Sequence, residues 1–374
     1  MMKTIHDCPV SSREMILMIV LFVFGSSVVM GVNSDTRQDS WICLLIGAAL
    51  CIPVFLLYAR IVKLMGDDDF FTCIINWLGE VLGRIVIALL VWYYLYLAAI
   101  VLRNFSEFME IVAMPETPQI PMMIALVLVM AYLCKSRIQV IAQWAVVGIY
   151  VTMGIVLLTL LATVSHMQID YLLPVMEHSR AEITKSSLQV FAFPYAECVV
   201  ILPLISAVKN ANPYKIFLKG LGMSTVILLL IVLRNILCIG SYLMEAEYFP
   251  SYSCARIMEI GSFLSRIEGT ISVNFIVAGV TKATLCIYSG TLGAAKLLNI
   301  PNKLDLIIMP VCMFALMLCA ISYSDAVQMF DFLDIYPLYS IPFQVGLPVL
   351  IWLAAEWKSR AKKMSFHKTA AQNS

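Results

Sequence analysis

Apolar positions along this chain gather into runs close to the ~20 residues a helix needs to cross a bilayer, separated by short polar segments. Ten such runs can be marked, at 15–32, 41–62, 82–102, 120–134, 140–164, 187–208, 216–243, 270–292, 306–322 and 339–357. The fourth is short, and the third can run on as helix through Arg103, Glu107 and Glu110. The pattern predicts an all-α, polytopic membrane protein. Residues 1–357 form one transmembrane domain with halves at about 14–164 and 186–357, and 358–374 form a basic, then polar, tail.

Two runs are interrupted where lipid would tolerate no interruption. Phe191-Ala192-Phe193-Pro194-Tyr195-Ala196-Glu197 places a proline and a carboxylate inside the sixth run. Proline removes a backbone N–H and clashes with the preceding turn, and a carboxylate in the membrane must be paired, protonated or wet. Gly25-Ser26-Ser27-Val28-Val29-Met30-Gly31 lies inside the first run, where small residues let a helix unwind and expose backbone groups. The first and sixth positions correspond in a transporter built from two inverted halves of five helices. Paired interrupted helices there point to a mid-membrane site.

Composition and charge agree with this reading. With 61% hydrophobic and 13% charged residues and a mean hydropathy of +0.90, the chain is far more apolar than a soluble domain. If the N-terminus is cytoplasmic, basic residues concentrate inside, from Lys3 and Arg13 through Arg60, Lys63, Lys135 and Arg137 to the Lys358–Lys368 tail. The outer loops carry only Arg37, Arg180, Lys185 and Arg256. This is the positive-inside bias, and it puts both termini in the cytoplasm. The eleven cysteines are scattered without metal or disulfide spacing and read as small packing residues. The first run lacks the cleavage pattern of a signal peptide. His6, His166, His178 and His367 all fall in loops or tails, and there is no phosphate-binding loop, dinucleotide glycine pattern or His-Cys constellation. Nothing calls for catalysis, a cofactor, a metal or a nucleic-acid partner, and no filter-like repeat suggests a channel.

Glu197 lies about ten residues into the sixth run, hence ~15 Å deep at 1.5 Å per residue. Lys282 reaches similar depth in the eighth run, whereas Arg103 and Arg234 fall toward outer ends. This placement allows an ion pair across the core. It reads either as a structural bridge or as a fixed cation beside a carboxylate that responds to ligand or proton. Arg103 and Glu107, four apart, read as a surface pair worth a few tenths of a kcal/mol. Trp92, Tyr93, Tyr94 and Tyr96 form an aromatic run that either packs between helices or, through Tyr94 and Leu97, walls a pocket. Thr284 and Tyr288, below Lys282, offer a similar pair. The expected ligand-binding set is therefore Gly25, Ser26, Ser27, Tyr94, Leu97, Phe193, Pro194, Tyr195, Glu197, Thr284 and Tyr288, with Glu197 and Lys282 as the charge pair. Between the seventh and eighth runs, Ile257, Ile260 and Phe263 are spaced for a short amphipathic helix, lying on the membrane surface or packed in the loop.

The glycine-rich first run, Phe193-Pro194-Tyr195-Ala196-Glu197 in the sixth and Arg266-Ile267-Glu268-Gly269 before the eighth resemble the B subunit of endospore germinant receptors. This is the spore germination permease family of the amino acid-polyamine-organocation superfamily. The likeness spans nearly the whole chain, although the family often has glycine where Ala196 stands. The resemblance implies a LeuT-like fold in the spore inner membrane that senses a nutrient, typically an amino acid or sugar, beside a membrane-anchored A subunit and a lipoprotein C subunit. No loop here is long enough to form a soluble output module, which fits a need for partner chains. A proton-coupled amino acid carrier would use the same fold and pocket.

Overall fold

A computed structural model of the chain describes residues 10–27, 31, 35–66, 68–113, 116–208, 211–256, 268–323 and 325–372, with side chains from 269 in the sixth of these longer segments and to 361 in the last. Every regular element among them is helical: α1 Ser12–Phe24, α2 Ser40–Met65, α3 Phe70–Leu78, α4 Glu80–Phe108, α5 Gln119–Lys135, α6 Arg137–Thr163, α7 Arg180–Val190, α8 Pro213–Ile239, α9 Ser241–Ala246, α10 Pro250–Arg256, α11 Glu268–Leu297, α12 Leu304–Ser322, α13 Ala326–Ile341 and α14 Leu347–Gln372. Seven helical stretches among the described residues are long and apolar enough to cross a membrane, and α5 is a shorter apolar helix. The first and sixth apolar runs are the broken ones. Val28–Met30, the Ile257, Ile260 and Phe263 spacing, and Arg266-Ile267 lie outside the described residues.

Local sequence explains several helix ends. Ser11 and Glu14 form a capping box on α1: the Glu14 N–H donates to Ser11 Oγ at 3.2 Å and the Ser11 N–H to Glu14 Oε2 at 2.7 Å. Ser179 and Glu182 do the same for α7, which therefore begins seven residues before the apolar run suggests. Asn212 caps α8, Pro213 opens it, and Gly240 closes it at φ 78°. α4 does continue past the apolar run, into a π-helical turn at Met109–Ala113. The tenth run is much longer than 339–357, because the apolar stretch extends over Ala326–Ala361 through α13 and a π-helical turn at Pro342–Gly346. α14 stays helical through the segment from Lys358.

α1 is central. Residues on all its faces are buried, as expected for a helix enclosed by others, and it packs on α8, α6 and α11. Close approach depends on glycines at the contacts. A Cβ on Gly220 of α8 would lie 2.6 Å from Ile19 Cγ2 of α1, and one on Gly148 of α6 would lie 2.9 Å from both Leu21 of α1 and Val277 of α11. Gly222, two residues from Gly220, meets nothing within 4 Å. Gly220→Leu is expected to overpack the α1–α8 contact by roughly 1–3 kcal/mol, lowering the unfolding midpoint of the protein in detergent. Gly222→Leu should leave that midpoint near wild type in the same thermal melt.

Candidate functional site

The break in the sixth run follows from its proline. Phe193, the residue before Pro194, is extended at φ −132° and ψ 118°, the backbone that a following proline favours. A π-helical turn at Phe191–Tyr195 precedes a 3-10 stretch at Ala196–Ile201, so several carbonyls lose their usual α-helical partners. Side chains from three other helices and the π-helical turn at Pro342–Gly346 take up this role. Gln344 Nε2 donates to the Ala192 carbonyl at 2.8 Å and Tyr58 donates to the Ala196 carbonyl at 3.2 Å. Tyr94 donates to the Val199 carbonyl at 3.2 Å and Ser289 to the Val200 carbonyl at 2.8 Å.

In the first run α1 stops at Phe24, and Gly25 leaves the helix at φ 14° and ψ −115°. A Cβ on Gly25 would meet Lys282 Cδ at 2.5 Å and the Phe22 carbonyl oxygen at 2.8 Å, so glycine alone leaves room for the lysine stem. Ser27 Oγ donates back to the Val23 carbonyl at 3.1 Å, while the Ser26 hydroxyl is buried without a hydrogen-bond partner among the described residues.

The two interruptions meet at a buried charge pair. Lys282 Nζ of α11 donates to Glu197 Oε2, and both residues are enclosed, at 0% and 1% exposure. The ammonium also lies 4.8 Å from the Phe193 ring centroid and 5.3 Å from that of Phe22, so it stands between aromatic faces of both broken runs. Tyr336 donates to Glu197 Oε1 at 2.6 Å. Having spent its proton there, it accepts from Tyr93 at 3.1 Å, and Tyr93 accepts from Gln344 Nε2 at 2.8 Å. A directed chain thus runs from Gln344 through two phenols to the carboxylate. It can stabilise an anion at Glu197 and redistribute when that charge changes.

Among the expected site residues, Gly25, Phe193 and Glu197 converge on Lys282, and Pro194 sets the bend. Tyr94 reaches the broken backbone at Val199 rather than the ion pair. Tyr195 is buried, and its hydroxyl has no hydrogen-bond partner among the described residues. Leu97, Thr284 and Tyr288 are buried on α4 and α11, and the Thr284 hydroxyl has no hydrogen-bond partner among the described residues. Sequence reasoning missed Tyr336, Gln344, Tyr93, Phe22 and Tyr58. Gln344 carried a usable signal, as an amide deep in an apolar run; Tyr336 fell outside the run as drawn. One expectation is corrected: Arg103 and Glu107 form no surface pair. They are 7% and 5% exposed by side chain, at 2.5 Å, and Gln119 also donates to Glu107 at 3.2 Å.

Residues 9–328 match the family model described as "Spore germination protein". The chain belongs to the spore germination permease family. It is 25% identical over 361 residues to spore germination protein KB of Bacillus subtilis (strain 168), covering 95% of this chain and 97% of that protein. It is 22% identical to spore germination protein XB of Bacillus anthracis, over 86% of this chain and 90% of that one. Among solved structures, it resembles MHP1, a nucleobase-cation-symport-1 family transporter in a closed conformation with bromovinylhydantoin bound, at a TM-score of 0.70 and 10% identity, covering 93% of this chain and 79% of that one. A manganese transporter of Eremococcus coleocola matches at a TM-score of 0.60 and 13% identity, over 92% and 83% of the two chains. The fold of this spore permease is therefore that of the LeuT-like transporters, in a multi-span membrane protein.

Removing one member of a buried ion pair strands the other, at a cost of about 3–5 kcal/mol. Lys282→Met alone is expected to lower the unfolding midpoint clearly. The double variant Glu197→Gln/Lys282→Met should recover much of that loss in the same detergent melts. An additive double variant would mean that the two residues are energetically uncoupled.

Proposed function

We propose that this chain is the nutrient-sensing B subunit of a germinant receptor in the spore inner membrane, with both termini cytoplasmic. It binds a small nutrient, an amino acid or sugar, where the two interrupted runs meet, and signals through the A and C subunits without catalysing a reaction. The observation that carries this reading is the convergence of both breaks on Glu197 and Lys282 in a member of the spore germination family. A ligand inserted there meets a carboxylate, an ammonium and backbone already freed from helical pairing, the elements of a polar small-molecule site in an apolar enclosure. Ligand binding shifts the receptor only as far as its affinity differs between two states. The closely packed pair supplies such a difference, because a ligand that separates Lys282 from Glu197 must replace both partners.

A second reading, a proton-coupled amino acid carrier, is favoured by the fold shared with transporters and by a membrane-buried carboxylate on a hydroxyl chain. Uptake separates the two. Protein reconstituted alone should bind nutrient without accumulating it under a pH gradient, and accumulation would favour transport. In spores carrying the cognate partners, Glu197→Gln or Gly25→Leu is expected to abolish the germination response while membrane abundance stays normal by immunoblot. A normal response from either correctly assembled variant rules out this site as the sensor.

A further inference from the structure

The segment between α6 and α7 leaves four large apolar side chains exposed, Ile169, Leu173, Val175 and Met176, the first at 76% and the last at 65%. Hydrogen bonds fix the segment at both ends. Near its start the Gln168 N–H donates to the Leu237 carbonyl of α8 at 2.8 Å, and a Cβ on Gly240 would touch the Tyr171 ring at 3.7 Å. Near its end the buried Asp39, just before α2, accepts from the Met176 N–H at 2.7 Å and the His178 N–H at 3.3 Å, with His178 Nδ1 also 3.0 Å away. Gln38 donates to the Pro174 carbonyl at 3.1 Å and to Glu177 Oε2 at 2.6 Å. Met176 is held at φ 60°, a left-handed backbone that a side chain other than glycine adopts only at a cost. A segment pinned in this way presents its apolar side chains by construction, and the strain at Met176 points to a use for them.

Continuity and height both indicate what covers them. Leu157, Leu161 and Val164 are exposed along the last turns of α6 and just beyond it, so the apolar surface of a membrane-spanning helix runs on into Ile169. The bond from Gln168 to Leu237 sets the start of the segment level with a residue two before the end of α8. That helix has 27 residues, more than the ~20 that cross the hydrocarbon, so its last turn lies in the layer where acyl chains give way to headgroups. α9 adjoins the 3-10 turn at Arg37–Asp39, which in turn adjoins the one at Ile169–Leu172, and it adds the exposed Tyr242, a residue type enriched in that layer. In the turn at Ile169–Leu172, Asp170 projects a third of a turn away from Ile169, which leaves the isoleucine free to face acyl chains.

We propose that residues 169–176 are an interfacial anchor, with Ile169, Leu173, Val175 and Met176 seated in the near leaflet of the bilayer at the boundary between headgroups and acyl chains. The occupant of this surface is lipid. The anchor bears on the rest of the fold through its second end. The segment leads directly into Ser179, the cap of α7, and Asp39 ties it to the start of α2, against which α7 packs. The leaflet therefore holds the outer half of the sixth run in place beside α2, above the break at Pro194.

The test uses full-length protein carrying Ile169→Cys, Leu173→Cys or Met176→Cys, spin-labelled and reconstituted into nanodiscs of phosphatidylglycerol and phosphatidylethanolamine. Unsubstituted protein, whose cysteines among the described residues are buried, gives the background. Collisions of the label with oxygen, which concentrates in lipid, are compared with collisions with a water-soluble nickel chelate. Oxygen is expected to exceed the chelate several-fold at these positions, whereas Asn302→Cys, exposed in the turn between α11 and α12, should favour the chelate. Three separate exposed positions keep the test open if one variant folds poorly. A ratio matching that of Asn302→Cys overturns the anchor and places the segment in water. Low collision with both probes, as for side chains covered by protein, overturns it as well.

Discussion

A helix that breaks inside a hydrocarbon layer has no water to take up its unpaired carbonyls, so every interruption must be answered by side chains from neighbouring helices. This requirement organises the centre of the molecule. The carbonyls of Ala192, Ala196, Val199 and Val200 are met by Gln344, Tyr58, Tyr94 and Ser289, which come from four different helices or turns. Those four side chains gather where Pro194 has removed regular pairing.

The two interruptions solve the same problem differently. At the sixth run proline imposes the bend and donors arrive from outside. At the first run no proline is present; Gly25 opens space that the stem of Lys282 fills, and Ser27 caps its own helix through Val23. The lysine is thus both a counter-ion for one broken segment and a packing element for the other. Its ammonium sits between Phe22 and Phe193, so the charge is screened from lipid by aromatic faces as well as by its partner carboxylate.

Much of this centre could be read from residue types alone, because lipid penalises them so strongly. Pro194, Glu197, Gly25 and Lys282 are each costly or disruptive in a membrane helix, and similar depth allowed the two charges to meet. Tyr336 was not legible. Asp331 and Asp334 lower the apolar signal of α13, and the tenth run appeared to begin after the tyrosine. Arg103 and Glu107 show the opposite difficulty. Spacing of four says that two side chains can meet, but nothing about what surrounds them. Here Phe105 and Phe108 on the same helix pack into the core and carry that turn of α4 inward with them.

Tyr58 is buried on α2 among Phe55 and Phe217, and its hydroxyl oxygen, with one proton to donate, lies 2.6 Å from the Gln344 carbonyl oxygen and 3.2 Å from that of Ala196. These acceptors belong to two irregular segments, the sixth run and the π-helical turn between α13 and α14. A phenol held rigidly by neighbouring rings cannot follow two carbonyls that drift apart. Sliding either segment alone forfeits a hydrogen bond in a setting where water offers no substitute, so the cheapest displacement carries both segments and α2 together.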